Sequence, residues 1–427
     1  MNLIVLLLLL FCLGPVLGAI WTRLKIGLGQ YESEEKLNYT LRRPLYEAIH
    51  NLETMILVND AVKEHVLDRQ SIAECSSRSE RLKSVEWLFT NDIVKTFTPT
   101  SEDMSLQDQK FNFLLLALTG GEECERLQNV LARAYVCYFS NQKKPILGRM
   151  QVCWKNAAWM SFESAYDLFR HEILHALGYG LLVPSPPIYQ EETRMWRDGR
   201  GQSQSFTVYG MDFSRRALSY VRRHFRCSIL MIVEAENEDR KHLNEYIFGN
   251  ELMTPVLNNG KNYFTKISAL ILEDTFVGKH QWYKTVETKV QRETEGYWYG
   301  RQWGCTFATK SCSDYVEEQA TRRKPSFPFC TFHDYGRSTP RKICAKTLYN
   351  TTTISLQCVT YPHIHRTEQL ELKGIELHPI LLSDYLPQLR DQSSYGSAGH
   401  HRFCPFSQNV LNGQIEIVSS DSVLVEC

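Results

Sequence analysis

Two histidines and a glutamate stand close together in FRHEILHALGYG, residues 169–180. His171 and His175 are four residues apart, so on an α-helix they share one face and both imidazoles can reach one divalent metal ion. Glu172 points about 100° away around the helix, where its carboxylate misses the ion but reaches a water molecule beside it. The pattern indicates metal-assisted hydrolysis, in which the ion acidifies the water and the carboxylate accepts its proton.

A hydrolytic zinc site needs a third protein ligand and one open position. At the short spacing used by some zinc peptidases the third histidine would fall at residue 181, which is Leu181. Gly178 is in place to turn the chain sharply after the helix, because glycine accepts a positive φ at little cost. The downstream candidates are Glu191 or Glu192, or a histidine, best represented by His242. The glycine turn favours the histidine.

A second motif surrounds this histidine in RKHLNEYIFGNELMTPV, residues 240–256. His242 follows Gly178 after 63 intervening residues and precedes Met253 in NELMTP. With HExxHxxG, this arrangement resembles the leishmanolysin-type metzincin peptidases. Segments 137–153, 220–238 and 303–312 are similar to that family as well, so the resemblance runs from about residue 21 to the chain end.

The resemblance implies a zinc peptidase mechanism. One Zn²⁺ per chain would be held by His171, His175 and His242, with Glu172 as general base and Met253 beneath the metal. The chain departs from the family pattern in three places. WTRLKIGLG follows the N-terminal apolar run without an evident propeptide, the last residues SSDSVLVEC carry no lipid-anchor signal, and Leu243 replaces an expected aromatic residue.

The N-terminus and the cysteines predict export. Leu3 to Leu13 form an apolar run and Val16 and Gly18 offer a cleavage site, so we expect a signal peptide over residues 1–18. A signal anchor is the alternative, since the basic residues follow the run.

The cysteines also predict export. Apart from Cys12, the other 12 of the 13 cysteines suggest a disulfide set. Five precede residue 230 and seven follow residue 300, so either one bridge joins the halves or at least two thiols stay free. Asn38 and Asn350 lie in glycosylation sequons.

Several elements must position the motifs. We expect strands over 21–29, 111–119 and 146–154, and helices over 42–67, 161–180 and 217–229. Pro44 suits the first turn of the first helix, and Ser161 or Ser164 the N-cap of the second. Residues 181–205 predict a polar surface excursion, and the cysteine-rich part beyond 300 shows no long helical period.

The remaining chemistry-bearing residues favour ordinary surface roles. This expectation covers His224, the pairs His363 with His365 and His400 with His401, and the basic cluster Arg222, Arg223 and Arg226. The chain has 427 residues and balances 48 basic against 48 acidic side chains, which removes any global electrostatic case for binding nucleic acid or an acidic membrane surface.

Together these features predict an α+β protein with four parts. They are a signal peptide (1–18), an N-terminal catalytic subdomain ending in the HExxH helix (19–180), a central subdomain with the third ligand and methionine turn (181–300), and a disulfide-rich, mixed or mostly-β domain (301–427). The expected function is a secreted zinc endopeptidase acting on proteins or peptides, with no transmembrane segment after signal removal; association with a membrane or cell surface is left open. The alternative is a peptidase-like binding or adhesion protein with weak or no hydrolysis.

Overall fold

The computed structural model describes most of the chain between residues 21 and 324 and four strands beyond it. The described residues are 21–31, 39–59, 66–77, 82–89, 93–97, 103–105, 111–120, 124–125, 131–141, 143–153, 162–180, 190–197, 201–211, 215–255, 261–277, 280–324, 326, 329, 341–346, 351–359, 406–409 and 423–426. The signal segment, Asn38, Asn350 and the histidine pairs near 363 and 400 lie outside them.

Helices and strands alternate through most of this region. The helices are α1 (Tyr39–Met55), α2 (Arg69–Ser76), α3 (Phe162–Ala176), α4 (Arg215–Phe225), α5 (Glu245–Phe248), α6 (Lys266–Glu273), α7 (Glu287–Gly296), α8 (Cys305–Thr309) and α9 (Cys312–Thr321). The first strands are β1 (Trp21–Arg23), β2 (Ile26–Tyr31), β3 (Ile56–Asn59), β4 (Val66–Asp68), β5 (Leu82–Phe89), β6 (Ile93–Phe97), β7 (Asp103–Ser105), β8 (Phe113–Thr119), β9 (Ala132–Phe139) and β10 (Pro145–Val152). The later strands are β11 (Glu191–Arg197), β12 (Ser203–Gly210), β13 (Glu234–Ala235), β14 (Phe276–Val277), β15 (His280–Gln281), β16 (Tyr283–Thr285), β17 (Arg341–Lys346), β18 (Thr351–Val359), β19 (Phe406–Asn409) and β20 (Val423–Glu426).

A six-stranded sheet in the order β6-β5-β2-β8-β10-β9 supports the N-terminal part. Strands β2, β8 and β10 run parallel, whereas β9 is antiparallel to β10 and lies at the edge. Strand β8 is buried on both faces: Phe113 and Leu115 belong to the core that contains α1 and α3, and Leu114 and Leu116 to the core on the opposite face. Both faces of the sheet are therefore covered, as in mixed α/β layers.

The first helix is shorter than its sequence pattern predicts. Leu45, Ile49 and Leu52 are buried at helical spacing, but α1 ends at Met55. The next four residues form β3, which pairs with β1 and β16, so the prediction of one helix through residue 67 is wrong. Residues 56–59 form a strand because their pairing with strands that are distant in sequence overrides their local helical propensity. Pro44 lies inside the helix rather than in its first turn.

Strands β11 and β12 pair antiparallel within and just beyond the segment that the sequence predicted as a polar surface excursion. Trp196 is 2% exposed and packs with Phe206, Val208 and Ile232, so one face of the hairpin has a small core of its own. Most of the described residues in the predicted surface excursion are exposed, but they form regular strands. The β-branched and aromatic run from Phe206 to Tyr209 was the available strand signal.

The C-terminal part begins with helices that join the main core. Phe307 and Tyr315, from the short helices α8 and α9, pack in the same core as Phe225 and Tyr246. A four-stranded antiparallel sheet, β19-β18-β17-β20, follows. The described part is thus a mixed helix and sheet structure; the domain boundaries stay a prediction.

Three described disulfides join Cys75 to Cys137, Cys124 to Cys153 and Cys227 to Cys305. The third links the two halves of the chain, which resolves the odd cysteine counts in favour of a crossing bridge. Across the described ranges, no helix combines the length and apolar character required to cross a bilayer.

Candidate metal centre

Helix α3 carries the two histidines and the glutamate into the interior. Phe169 and Ile173 on this helix are fully buried in the main core, and His171, Glu172 and His175 are each only 6% exposed. Helical packing thus forces the polar side chains into a closed environment beside the sheet. Because the helix begins at Phe162, the alternative N-cap Ser164 is wrong; Ser161 lies outside the described residues.

Two glycines turn the chain after this helix. Gly178 has φ 105° and Gly180 has φ 67°, in the region that glycine adopts at little cost. A Cβ atom on Gly180 would lie 2.5 Å from the carbonyl oxygen of Lys241, so only glycine lets these two backbones approach. The expected turn at Gly178 is present. The contact at Gly180 brings the end of α3 against the residue that precedes His242.

Backbone pairing holds His242 from both sides. The carbonyl of His242 accepts the N–H of Glu236 at 3.0 Å. The N–H of Leu243, fully buried, donates to the carbonyl of Met253 at 2.9 Å. The third histidine is therefore fixed between β13 and the turn of NELMTP.

The three histidines meet at their Nε2 atoms. His175 Nε2 lies 3.1 Å from His171 Nε2 and 3.0 Å from His242 Nε2. Nitrogen ligands of a tetrahedral zinc ion are roughly 3.4 Å apart when each lies about 2.1 Å from the metal. These side chains form a His cluster that could hold one metal ion.

The other ring nitrogens make this cluster suitable for a metal. His171 Nδ1 lies 2.7 Å from the carbonyl oxygen of Leu252, and His175 Nδ1 lies 2.9 Å from that of Tyr179. Since a carbonyl only accepts, each Nδ1 carries the proton and each Nε2 keeps a free lone pair. Burial lowers the pKa of His171 to about 4 and that of His175 to about 3, and it lowers the pKa of His242 well below its usual range. The donor set is therefore neutral imidazole, the form that binds zinc.

Glu172 faces the edge strand of the sheet. Burial raises the pKa of its carboxyl to about 8, while the charge of Arg133 and a hydrogen bond from the backbone N–H of Ala134 act against this rise. A cation bound at the histidines would also act against this rise and lower the pKa of Glu172, because a neighbouring positive charge favours the carboxylate. Arg133 and Ala134 were missed by the sequence analysis, since nothing local marks β9 as the strand beside the active helix.

The methionine turn is anchored by a buried carboxylate. Glu251 is fully buried; its Oε2 accepts the N–H of Met253 at 2.7 Å, and its Oε1 accepts the N–H and hydroxyl of Thr265 at 3.1 and 3.0 Å. Thr265 is also the N-cap of α6. The turn that presents Met253 and the Leu252 carbonyl is thus tied to a helix end.

A second buried network surrounds Arg170, the residue before His171. Its guanidinium pairs with Asp167 at 2.8 Å and Glu293 at 2.7 Å and donates to the carbonyl of Asn262 at 2.8 Å. Asp167 also accepts the N–H of Asn262 at 2.8 Å, and Glu293 that of Phe264 at 2.8 Å. These bonds tie the active helix to the segment that follows the methionine turn.

Other candidates do not join the cluster. Glu191 is exposed and Glu192 pairs with Arg194 in the hairpin, so the alternative glutamate ligands are not brought to the histidines. The prediction of a surface position for His224 is wrong. This residue is 7% exposed, its Nε2 lies 2.8 Å from the carbonyl of Tyr299 and its ring stacks on Tyr297, because the inner face of α4 packs against the aromatic segment near residue 300.

A protein family and several known proteins are similar in sequence to this chain. The family described as Leishmanolysin matches residues 113–415. A leishmanolysin-like peptidase of Drosophila melanogaster is 24% identical over 226 residues, 44% of this chain and 32% of that protein. The leishmanolysin-like peptidases of Caenorhabditis elegans and Caenorhabditis briggsae are 24% and 22% identical over 51% and 54% of this chain.

The matched part spans between 32% and 39% of the length of these relatives. The family match itself extends over more than half of the chain and includes the histidine cluster and the methionine turn. The chain therefore belongs to the Leishmanolysin family of zinc-dependent metallopeptidases.

Proposed function

We propose that the chain is a secreted zinc-dependent endopeptidase with a metzincin-like catalytic domain. The observation that carries the proposal is the meeting of three neutral imidazoles at their Nε2 atoms, two of them with Nδ1 bonded to carbonyls. His171, His175 and His242 would hold one zinc ion, with Met253 beneath it. Bound there, zinc would lower the pKa of water and polarise a carbonyl group. The disulfides and the apolar run at residues 3–13 support export.

Glu172 would act as the general base. Its carboxylate lies one residue from a metal ligand and is held against the N–H of Ala134. In that position it takes a proton from the attacking water and later delivers a proton to the leaving amine. Burial alone raises the pKa of this carboxyl to about 8, and a cation bound at the histidines would lower it again toward the ionised form that accepts a proton.

Strand β9 would bind the substrate. It lies at the edge of the sheet, β10 is its partner among the described strands, and Glu172 reaches its Ala134. An extended peptide can add to such an edge through main-chain hydrogen bonds. This places a peptide bond beside the carboxylate without requiring particular side chains, so we expect protein or peptide substrates.

Zinc content and peptidase activity of the wild type and Glu172→Ala test the proposal together. We expect both proteins to hold one zinc ion and only the wild type to cleave an unstructured protein. If both hold zinc and neither cleaves, the alternative of a peptidase-like binding or adhesion protein replaces the proposal. If Glu172→Ala cleaves at the wild-type rate, the general-base assignment is wrong.

A further inference from the structure

Two large apolar side chains are exposed in the loop between α4 and β13. Ile229 is 67% exposed and Met231 is 62% exposed, although Leu230 and Ile232 beside them are each 4% exposed. The buried pair anchors the segment while the exposed pair is presented to solvent. Exposed apolar side chains that cluster mark interaction sites more often than isolated ones do.

The loop, residues 227–233, is held in place at both ends. Cys227 is bonded to Cys305, and the N–H of Met211 donates to the carbonyl of Val233 at 2.7 Å. Arg222 Nε donates to the carbonyl of Leu230 at 2.7 Å, in the middle of the loop. Ile229 and Met231 are therefore presented on a fixed backbone, which reduces the ordering cost of binding.

The surroundings of loop 227–233 are basic. Residues 215–233 contain five arginines and no Asp or Glu, and residues 297–313 contain Arg301 and Lys310 and again no Asp or Glu. The two segments touch, since the N–H of Gln302 donates to the carbonyl of His224 at 2.7 Å. The whole chain has equal numbers of basic and acidic side chains, but basic residues are concentrated in the segments beside Ile229 and Met231.

Part of this charge is exposed on the outer face of α4. Arg216 is neutralised by Glu273 and Asp274 on α6. Arg223 and Arg226 are exposed, in line with the expected solvated face, and Arg222 is half-buried against the loop. An interface with a second copy through the same surface would bring like charges together, which disfavours self-association there.

We propose that loop 227–233 docks on a membrane surface containing anionic lipid. Ile229 and Met231 would enter the boundary between headgroups and acyl chains, while Arg223 and Arg226 contact anionic headgroups. Interfacial binding of this kind combines buried apolar area with attraction between basic side chains and the negative surface. None of the docking residues belongs to the histidine cluster, so the proposal does not depend on the peptidase function.

Sedimentation of the full chain with vesicles tests the proposal. The probes are vesicles of phosphatidylcholine alone and vesicles of phosphatidylcholine with phosphatidylserine. We expect binding to the anionic vesicles, weakened at least about tenfold in Ile229→Ser/Met231→Ser by loss of inserted apolar area. Arg223→Gln/Arg226→Gln should remove the preference for phosphatidylserine. Met195→Ser is the matched control, because Met195 is 63% exposed on the hairpin outside the loop.

Three results would overturn the proposal: a wild type that ignores anionic vesicles, a double serine variant that binds as the wild type does, or a control that loses binding equally. A wild-type dimer in light scattering that Ile229→Ser/Met231→Ser converts to monomer, without vesicle binding, would assign the surface to a second copy instead. Unchanged thermal unfolding of the variants shows that the loop substitutions leave the fold intact.

Discussion

His171 Nδ1 lies 2.7 Å from the carbonyl oxygen of Leu252, which stands in the methionine turn 81 residues later in the chain. The contact fixes the proton on Nδ1 and leaves Nε2 free to bind a metal. The orientation of the His171 ring therefore depends on the position of the methionine turn. A displacement of the turn would therefore change metal binding without altering any ligand.

Glu251→Gln should weaken zinc binding although Glu251 is not a proposed ligand. Both oxygens of the Glu251 carboxylate accept backbone N–H groups, from Met253 and from Thr265. In glutamine one of these oxygens is replaced by an NH₂ group, which would face an N–H donor and could not accept its hydrogen bond. We expect a loss of about 1–3 kcal/mol in the free energy of unfolding. Urea titration measures the loss of stability, and chelator competition measures the loss of zinc affinity. Glu238→Gln, at an exposed position, is the control; equal behaviour of the two variants would contradict the anchoring role.

Gly180→Ala should weaken zinc binding by displacing His242. The added Cβ would meet the carbonyl oxygen of Lys241 at 2.5 Å, in addition to the strain of a positive φ. Gly201→Ala separates the two effects, because Gly201 also has positive φ, 77°, but nothing within 4 Å of its Cβ position. Gly201→Ala should cost about 1 kcal/mol in stability and retain zinc affinity. Chelator competition compares them, and an unchanged affinity in Gly180→Ala would show that the close approach does not position the histidine.

Arg170→Met should destabilise the fold by about 3–5 kcal/mol, because it leaves the buried carboxylate of Asp167 and the partly buried carboxylate of Glu293 without their cation. Arg322→Met removes an exposed pair with Glu318 one helical turn away and should cost less than about 0.5 kcal/mol. Urea-induced unfolding of both variants gives the comparison. Similar losses for the two would mean that the Arg170 network adds little to stability.

The helix of the candidate site was predictable from local spacing. His171 and His175 share a face because helical geometry places residues four apart together, and the turn at Gly178 follows from the conformational freedom of glycine. His242 was different. Its approach depends on the Gly180 contact and on pairing of Leu243 with Met253, which are long-range, so its assignment needed the resemblance to a family.

The errors have a common physical origin. Residues 56–59 join a sheet with β1 and β16, and His224 is buried by aromatic residues about 75 positions later. Neither partner is visible in the local pattern. Arg133 and Ala134 escaped notice for the same reason, because only the folded sheet places β9 beside Glu172. Local pattern identifies an element more reliably than it identifies the neighbours that the element acquires.

Zinc content of the wild type, His242→Gln and His224→Gln tests the central claim most directly. Both histidines precede the methionine turn and both have pKa values lowered by burial, but only His242 lies in the cluster. We predict one zinc ion in the wild type and in folded His224→Gln, and little or none in folded His242→Gln after dialysis. Full zinc content in His242→Gln, or none in the wild type, would contradict a metal centre built from His171, His175 and His242.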